Sequence, residues 1–220
     1  MFDKEILSQK IADNIKDLIK DKKLQPEDKL PNELELAEEL NVSRSTVREA
    51  IKILVSKNIL EVKRGKGTFV SENPGIIKDP LGVTFMNEQD LHHYLFETRL
   101  IIEPEIVALC VDRIDEDQLE ELEAAFEKMK DKLIKKEDHT EWDKKFHCII
   151  AESTGNPIVK RIVPIISDSI TEGYKKTRKR PKSGEIVLKN HQRLLEAIKE
   201  KDREKAKDWM KTIILYGMEK

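Results

Sequence analysis

The chain has 220 residues, which is long enough to bury a hydrophobic core. Its formal net charge of −2 excludes a protein that coats nucleic acid along its whole surface. No apolar run is long enough to cross a bilayer, and the N-terminus lacks the basic-then-apolar layout of a secretory signal. The two cysteines, Cys110 and Cys148, lie in apolar, helix-like stretches. They do not suggest a disulfide framework, and they suit a reducing cytoplasm.

The N-terminal part of the chain predicts three helices, and only a very short turn joins the last two. Isoleucine and leucine recur at helical spacing over residues 5–21. Asn32, with a glutamate three residues later, forms a capping-box pattern that starts a second helix over 33–40. Ser43 caps a third helix, which runs to about Lys57. Two short helices joined by so brief a turn predict a helix-turn-helix.

A basic hairpin follows the third helix. Two β-prone runs, over 59–62 and 68–70, flank the segment KRGKG at 63–67, whose glycines permit a hairpin tip. Between Val42 and Val70 there are seven lysine or arginine residues and two acids, so this stretch carries a local positive charge. The pattern predicts a β-hairpin wing with a basic tip.

The rest of the chain predicts a linker and a helical domain. Proline and glycine with weak periodicity mark residues 74–86 as the linker. Beyond it, helical patterns are interrupted near Asp115, Lys136, residues 155–157 and residues 180–184. The predicted fold class is mainly α. A winged helix-turn-helix DNA-binding domain with a small β-wing occupies 1–73, and an antiparallel α-helical bundle occupies 87–220.

Polar and basic residues cluster at the start of the third helix, the part that helix-turn-helix proteins insert into the major groove. Arginine there can bind guanine in bidentate fashion, while hydroxyls and free backbone N–H groups suit phosphates. The candidate DNA-binding residues are Ser43, Arg44, Ser45, Thr46, Arg48, Arg64, Gly65 and Lys66. Any one of them alone is best interpreted as a solvated surface residue, so the prediction depends on their combination with the caps, the turn and the wing.

Three segments closely resemble the GntR winged-helix family: LPNELELA at 30–37, VSRSTVREA at 42–50 and GKGTFV at 65–70. The C-terminal half resembles the all-helical FCD-type effector domain of its FadR subfamily. The resemblance implies a ligand-responsive transcription regulator, acting as a repressor, and not an enzyme. One departure is Leu34, since the family commonly has a DNA-contacting arginine there. Because one winged helix reads only a short half-site, we expect a homodimer on a near-palindromic double-stranded operator.

The helical half contains a candidate metal site. Asp143 and His147 are four residues apart, so they share one helix face and can hold one divalent cation. The resemblance implies a ligand set at Asp143, His147, His191 and Ile213, and isoleucine cannot bind a metal. Two interpretations stay open: a site with three protein ligands for Zn²⁺, Ni²⁺ or a similar ion, or histidines satisfied by neighbouring carboxylates.

Arg99 and Glu103 form an i, i+4 pair in a predicted helix. The resemblance implies that an arginine here faces the effector cavity and binds a small carboxylate, for which its planar fork is suited. The alternative is an ordinary surface pair. The candidate effector-binding residues are therefore Arg99, Asp143, His147 and His191.

A metal-dependent enzyme that uses the Asp/His cluster is the alternative function. The sequence offers little for it, because HExxH, a nucleophile elbow and a glycine-rich phosphate loop are all missing. The most basic run of the chain, residues 175–182, is interpreted as a solvated loop between helices, because it is not interleaved with aromatic residues that stack on bases.

Overall fold

The computed structural model describes residues 2–77, 79–177 and 183–218, and the chain divides into two compact units, Met1–Pro80 and Leu81–Lys220. Each unit has its own hydrophobic core. The fold is mainly α with a two-stranded antiparallel sheet among the described residues, which confirms the predicted fold class. None of the described helices is both long enough and apolar enough to span a membrane.

The first unit is a three-helix arrangement with a hairpin. Its elements are α1 (Phe2–Asp21), α2 (Glu33–Glu39), α3 (Arg44–Ser56), β1 (Leu60–Lys63) and β2 (Gly67–Val70). Helix α1 packs mainly against α3, because both present an apolar stripe at helical spacing. Ile11 and Ile15 of α1 and Val47 and Leu54 of α3 are almost fully buried in the shared core.

The caps that the sequence predicts are present. The Asn32 side chain accepts the backbone N–H of Glu35 at 3.1 Å, and the Glu35 carboxylate accepts the Asn32 N–H at 2.8 Å. Asn41 turns the chain in the left-handed region at φ 51, which asparagine tolerates. Ser43 then accepts the N–H of Thr46 at 3.2 Å and starts α3. These local bonds fix the angle at which α3 leaves the turn.

The wing is a short antiparallel hairpin. Its register runs from Leu60 opposite Val70 to Lys63 opposite Gly67, and the first pair is buried in the core of the first unit. Gly65 sits at the tip with φ 74, a conformation that side chains disfavour. The basic tip is therefore held at a fixed distance from the core by paired backbone.

The second unit is all helical. Its elements are a short 3₁₀ helix (Val83–Phe85), α4 (Glu88–Arg113), α5 (Glu116–Ile134), α6 (Thr140–Glu152), α7 (Val159–Thr177), α8 (Gly184–Lys199) and α9 (Arg203–Met218). Helix α4 lies along α9 and also contacts α6, α7 and α8. Phe146 of α6, Leu194 of α8 and Ile214 of α9 meet in one core.

The predicted helix breaks near Asp115, Lys136 and residues 155–157 are all present. The fourth, at 180–184, falls partly outside the described residues, since 180–182 are not described, and α8 begins at Gly184. The basic run at 175–182 likewise extends outside them. The cysteines are free, and burial raises the pKa of the Cys110 thiol to about 12, so it is unreactive.

Candidate functional site

The start of α3 presents polar and basic side chains at the surface. Ser43, Arg44, Ser45 and Arg48 are exposed, as a DNA-facing surface requires. Thr46 does not match the prediction, because it is buried and its hydroxyl lies 2.8 Å from the Ser43 hydroxyl. We assign Thr46 to the helix cap, since a buried side chain cannot reach a groove.

Arg48 is held by an acid from the neighbouring helix. Its Nε donates to Glu33 Oε1 at 3.2 Å and its Nη2 donates to Glu33 Oε2 at 2.8 Å, which is a two-point pair. The hydrogen bonds from Arg48 lower the pKa of Glu33. This contact leaves no local pattern in the sequence, because its partners are fifteen residues apart. The pair fixes the direction of one predicted DNA-reading side chain.

The wing tip is exposed. Arg64, Gly65 and Lys66 all face solvent, and the Lys66 N–H closes the turn by donating to the Lys63 carbonyl at 2.9 Å. On α2, Leu34 is 49% exposed where the resembling family has an arginine. The first unit therefore offers two basic exposed regions, the start of α3 and the wing tip, with an apolar side chain on α2.

The structure brings together Asp143, His147 and His191. The first two project from α6 and the third from α8, and one ligand atom from each lies within 4.8 Å of the others. The Asp143 carboxylate lies 3.1 Å from His191 Nε2. Burial opposes ionisation of Asp143, but its contact with His191 and the nearby His147 and Arg99 hold its pKa well below its ordinary value.

Both histidines are anchored through one ring nitrogen. His191 Nδ1 lies 2.8 Å from the Val187 carbonyl, which can only accept, so the proton is on Nδ1. Its buried Nε2 has no aligned hydrogen-bond partner among the described residues. His147 Nε2 lies 2.9 Å from Arg99 Nη2, which can only donate, so the His147 proton is on Nδ1, 2.7 Å from Glu103 but not aligned as a hydrogen bond.

Arg99 and Glu103 form a buried ion pair. Arg99 donates to Glu103 through Nε at 2.5 Å and Nη2 at 3.3 Å, and the two side chains are 6% and 3% exposed. The surface-pair interpretation is therefore wrong. Burial alone would raise the pKa of Glu103, but the charges of Arg99 and His147 outweigh it and lower the pKa to about 2.

A cavity of about 640 Å³ lies beside these groups in the helical unit. Arg99, Asp143 and His191 line it, and so does Ile213, the residue at the fourth position of the resembling ligand set. His147 is not among the lining residues and is almost fully buried. The cavity size is in the range of small-molecule sites.

Fold and site together define a class: a winged helix-turn-helix DNA-binding protein with an all-helical unit that contains a charged cavity. The gntR family of bacterial regulatory proteins matches residues 7–70, and the FCD domain matches residues 94–215. The chain belongs to the GntR family and has an FCD domain.

Similar proteins are transcription regulators. The HTH-type transcriptional regulator LutR of Bacillus subtilis is 29% identical over 187 residues, covering 82% of this chain and 85% of LutR. The galactonate operon transcriptional repressor of Escherichia coli is 28% identical over 195 residues, covering 86% and 85%. The solved Streptococcus agalactiae GntR structure is 36% identical, with a TM-score of 0.86 over 96% of this chain and 98% of that one. The protein is a transcription regulator and not an enzyme, so the alternative of a metal-dependent enzyme is dropped.

Proposed function

We propose that this regulator is a homodimeric repressor that binds a near-palindromic double-stranded operator and releases or retains it according to a small carboxylate. The first unit would bind DNA, and the signal would pass through the linker at 74–86. The cavity of about 640 Å³ in the FCD domain is the observation that carries the sensing part. Its wall combines buried charge with apolar surface, as small-molecule sites do. A protein that binds an operator would act in the cytoplasm, where bacterial DNA lies.

The exposed residues of the first unit support direct DNA contact. We infer that Arg44 and Arg48 read base edges, because arginine at the start of a recognition helix can reach guanine. Ser43, Ser45 and the wing residues Arg64 to Lys66 would contact the phosphate backbone. The exposed Leu34 leaves one contact of the resembling family unmade.

Arg99 supports a carboxylate as the effector class. Arg99 lines the cavity, and its Nε and Nη2 atoms are bonded to Glu103 and His147. A guanidinium has five N–H donors in a plane, a geometry that matches a carboxylate. One relative is named as a galactonate operon repressor, and galactonate is a hydroxylated carboxylate.

The Asp/His cluster fits a divalent cation such as Zn²⁺ or Ni²⁺ with three protein ligands. Asp143, His147 and His191 would hold it, and the contact of His191 Nδ1 with the Val187 carbonyl is the outer contact that such a ligand needs. A bound cation supplies a Lewis acid for a ligand oxygen. Ile213 cannot bind a metal, so the fourth coordination position is left to solvent or to the effector. Arg99 already contacts His147 Nε2 and therefore competes with a metal ion for this nitrogen. In the other interpretation, neighbouring carboxylates satisfy the two histidines. The Glu103 carboxylate lies 2.7 Å from His147 Nδ1, and the Asp143 carboxylate lies 3.1 Å from His191 Nε2.

Exposed apolar side chains on α4 support a dimer made by the helical unit. Tyr94 and Ile101 are seven residues apart, so they lie on the same helix face, and they are 55% and 70% exposed. Apolar surface of this kind is typical of protein–protein contacts.

The test is a mobility-shift assay with DNA from the region upstream of the protein's own coding sequence. We expect specific, salt-sensitive binding that changes when lactate, galactonate or hexanoate is added. In Arg99→Lys, which keeps a positive charge beside Glu103 but loses the planar fork, the DNA should still bind while the response to the acid is lost. If none of the acids changes operator binding, carboxylate sensing is wrong; if the DNA is bound without sequence preference, the operator assignment is wrong.

A further inference from the structure

A lysine outside the predicted DNA-binding set lies against the wing. Lys29 precedes α2 in the chain and forms an antiparallel bridge with Phe69 of β2. The backbone N–H of Leu30 donates to the Thr68 carbonyl at 2.9 Å and holds this segment beside the hairpin. The position of Lys29 is therefore fixed by the same kind of backbone pairing as the wing itself.

The Lys29 side chain runs across Gly67 toward the wing tip. A Cβ atom on Gly67 would lie 2.8 Å from Lys29 Cε and 3.5 Å from Lys29 Nζ. Carbon atoms in contact lie about 3.5–4.0 Å apart, so the lysine occupies space that a side chain at position 67 would need. Because Gly67 directly follows Lys66, the Lys29 ammonium lies beside the exposed tip.

The charge of Lys29 is not balanced by an acid. Lys29 and the two cations of the wing tip are exposed, and none of the three makes an ion pair with a described residue. Lys63 differs, since its ammonium lies 3.7 Å from the Glu27 carboxylate and 3.6 Å from that of Glu61. The positive charge that the wing offers to a partner therefore comes from its two tip cations and from Lys29.

Lys29 also lies between the wing tip and the start of α3. Asn32, three residues after Lys29, caps α2, and Glu33 at the start of α2 holds Arg48 of α3. Three residues of extended chain span at most about 11 Å, so Lys29 is close to this end of α3 as well as to the tip. A duplex that contacts both basic exposed regions of the first unit brings its backbone past Lys29.

We propose that Lys29 binds a DNA phosphate and joins the wing tip and the start of α3 into one backbone-binding surface. The inference rests on the proposed DNA binding of the first unit and adds a contact to it. A lysine ammonium is a point charge with three N–H donors, which suits a phosphate oxygen. Since phosphate contacts contain no sequence information, Lys29 contributes equally to the binding of operator and of unrelated DNA.

The experiment is anisotropy titration of the full-length protein at several salt concentrations, with DNA from its upstream region and with unrelated DNA of equal length. Each phosphate contact adds about 0.9 to the slope of log affinity against log salt, so Lys29→Met should reduce that slope by about 0.9 for each bound protomer. The same relation predicts a loss of roughly eightfold in affinity for each protomer at about 0.1 M salt, with either DNA. Methionine keeps an aliphatic stem over Gly67 and removes the charge, and Lys29→Arg, which keeps the charge, should retain the wild-type slope.

Lys10→Met is the matched control. Lys10 is exposed on α1 of the same unit and makes no ion pair with a described residue. The neighbouring Gln9 accepts a hydrogen bond from Lys57 at the C-terminal end of α3, and the 13 residues of α3 separate that end from Arg44 by about 20 Å. Lys10→Met changes the net charge as Lys29→Met does, and it should leave the slope unchanged.

The outcomes separate the inference from the proposal on which it rests. Equal slopes for Lys29→Met and Lys10→Met, or a loss in Lys29→Arg as large as that in Lys29→Met, overturn the phosphate contact, and the proposed function stands if the wild type still prefers its upstream DNA. If the wild type binds both DNAs alike and Lys29→Met reduces both slopes, the phosphate contact stands and the operator assignment is wrong. If the wild type binds neither DNA, both are overturned.

Discussion

The buried pair of Arg99 and Glu103 predicts that Arg99→Met destabilises the helical unit strongly. Methionine fills a similar volume but removes the positive charge, so the Glu103 carboxylate stays buried with His147 as its remaining contact. Removing one partner of a buried ion pair costs about 3–5 kcal/mol, because the other charge is left uncompensated.

The pKa of Glu103 gives a second route to the magnitude. A carboxyl whose pKa falls from 4.5 to about 2 on folding contributes about 3 kcal/mol at neutral pH. Because the folded pKa is the lower one, this stabilisation is present above pH 4.5 and is lost as the pH falls toward 2. The lowered pKa has the same sign as the loss expected from the ion pair, since both show that the charged neighbours of Glu103 stabilise its ionised form.

Urea unfolding followed by tryptophan fluorescence measures this loss. Both tryptophans of the chain, Trp142 and Trp209, lie in helices of the second unit, so their signal reports on the relevant core. The double variant Arg99→Met, Glu103→Met removes both charges and should be about 1–2 kcal/mol more stable than Arg99→Met alone.

Asp131→Ala is the matched control for spacing. Asp131 and Lys135 form an i, i+4 pair at 2.9 Å, but both side chains are about half exposed, so its loss should cost at most about 0.5 kcal/mol. If Arg99→Met costs no more than this control, or if the double variant is the least stable of the set, the pair does not act as a buried ion pair.

The other predictions concern DNA, assembly and metal. Arg44→Ala and Arg48→Ala should each weaken operator binding by about 1–3 kcal/mol in anisotropy titrations, whereas Lys66→Ala should weaken all sequences alike; unchanged operator affinity in both arginine variants contradicts the assignment. Glu33→Gln should weaken operator binding, because it releases Arg48, and should slightly tighten binding of non-specific DNA, because it removes an acid. If the affinities for operator and for non-specific DNA both rise, Glu33 does not position Arg48. Light scattering should show a dimer at micromolar concentration, and a monomer bound singly to each operator contradicts it. Ile213→His should raise Zn²⁺ affinity in competition with a chelator, and no change means that residue 213 does not face the cluster.

The DNA-binding unit could be predicted well because its signals are local. The Asn32 cap, the Ser43 cap and the glycine at the wing tip each act within a few residues, and each is present in the structure. Thr46 is buried beside the Ser43 hydroxyl, which the sequence did not indicate, because a hydroxyl suits both a phosphate contact and a helix cap and only the fold shows its neighbours. The contact between Glu33 and Arg48 joins two helices and leaves no trace in local spacing.

The sensor could be predicted only in part. Helical spacing places Asp143 and His147 on one face, but His191 entered through resemblance, since α8 must be brought in by the fold. The position of Glu103 beside His147 was not predicted, because α4 and α6 are far apart in sequence.

Titration of DNA from the upstream region of the protein's own gene, with and without galactonate, decides whether the protein is a sequence-specific regulator that responds to a carboxylate. We expect salt-sensitive binding of two protomers to one site, loss of specificity in the Arg44→Ala, Arg48→Ala double variant, and a change in affinity with the acid that Arg99→Lys abolishes. Equal affinity for unrelated DNA, unaffected by the acid and by all three substitutions, would contradict it.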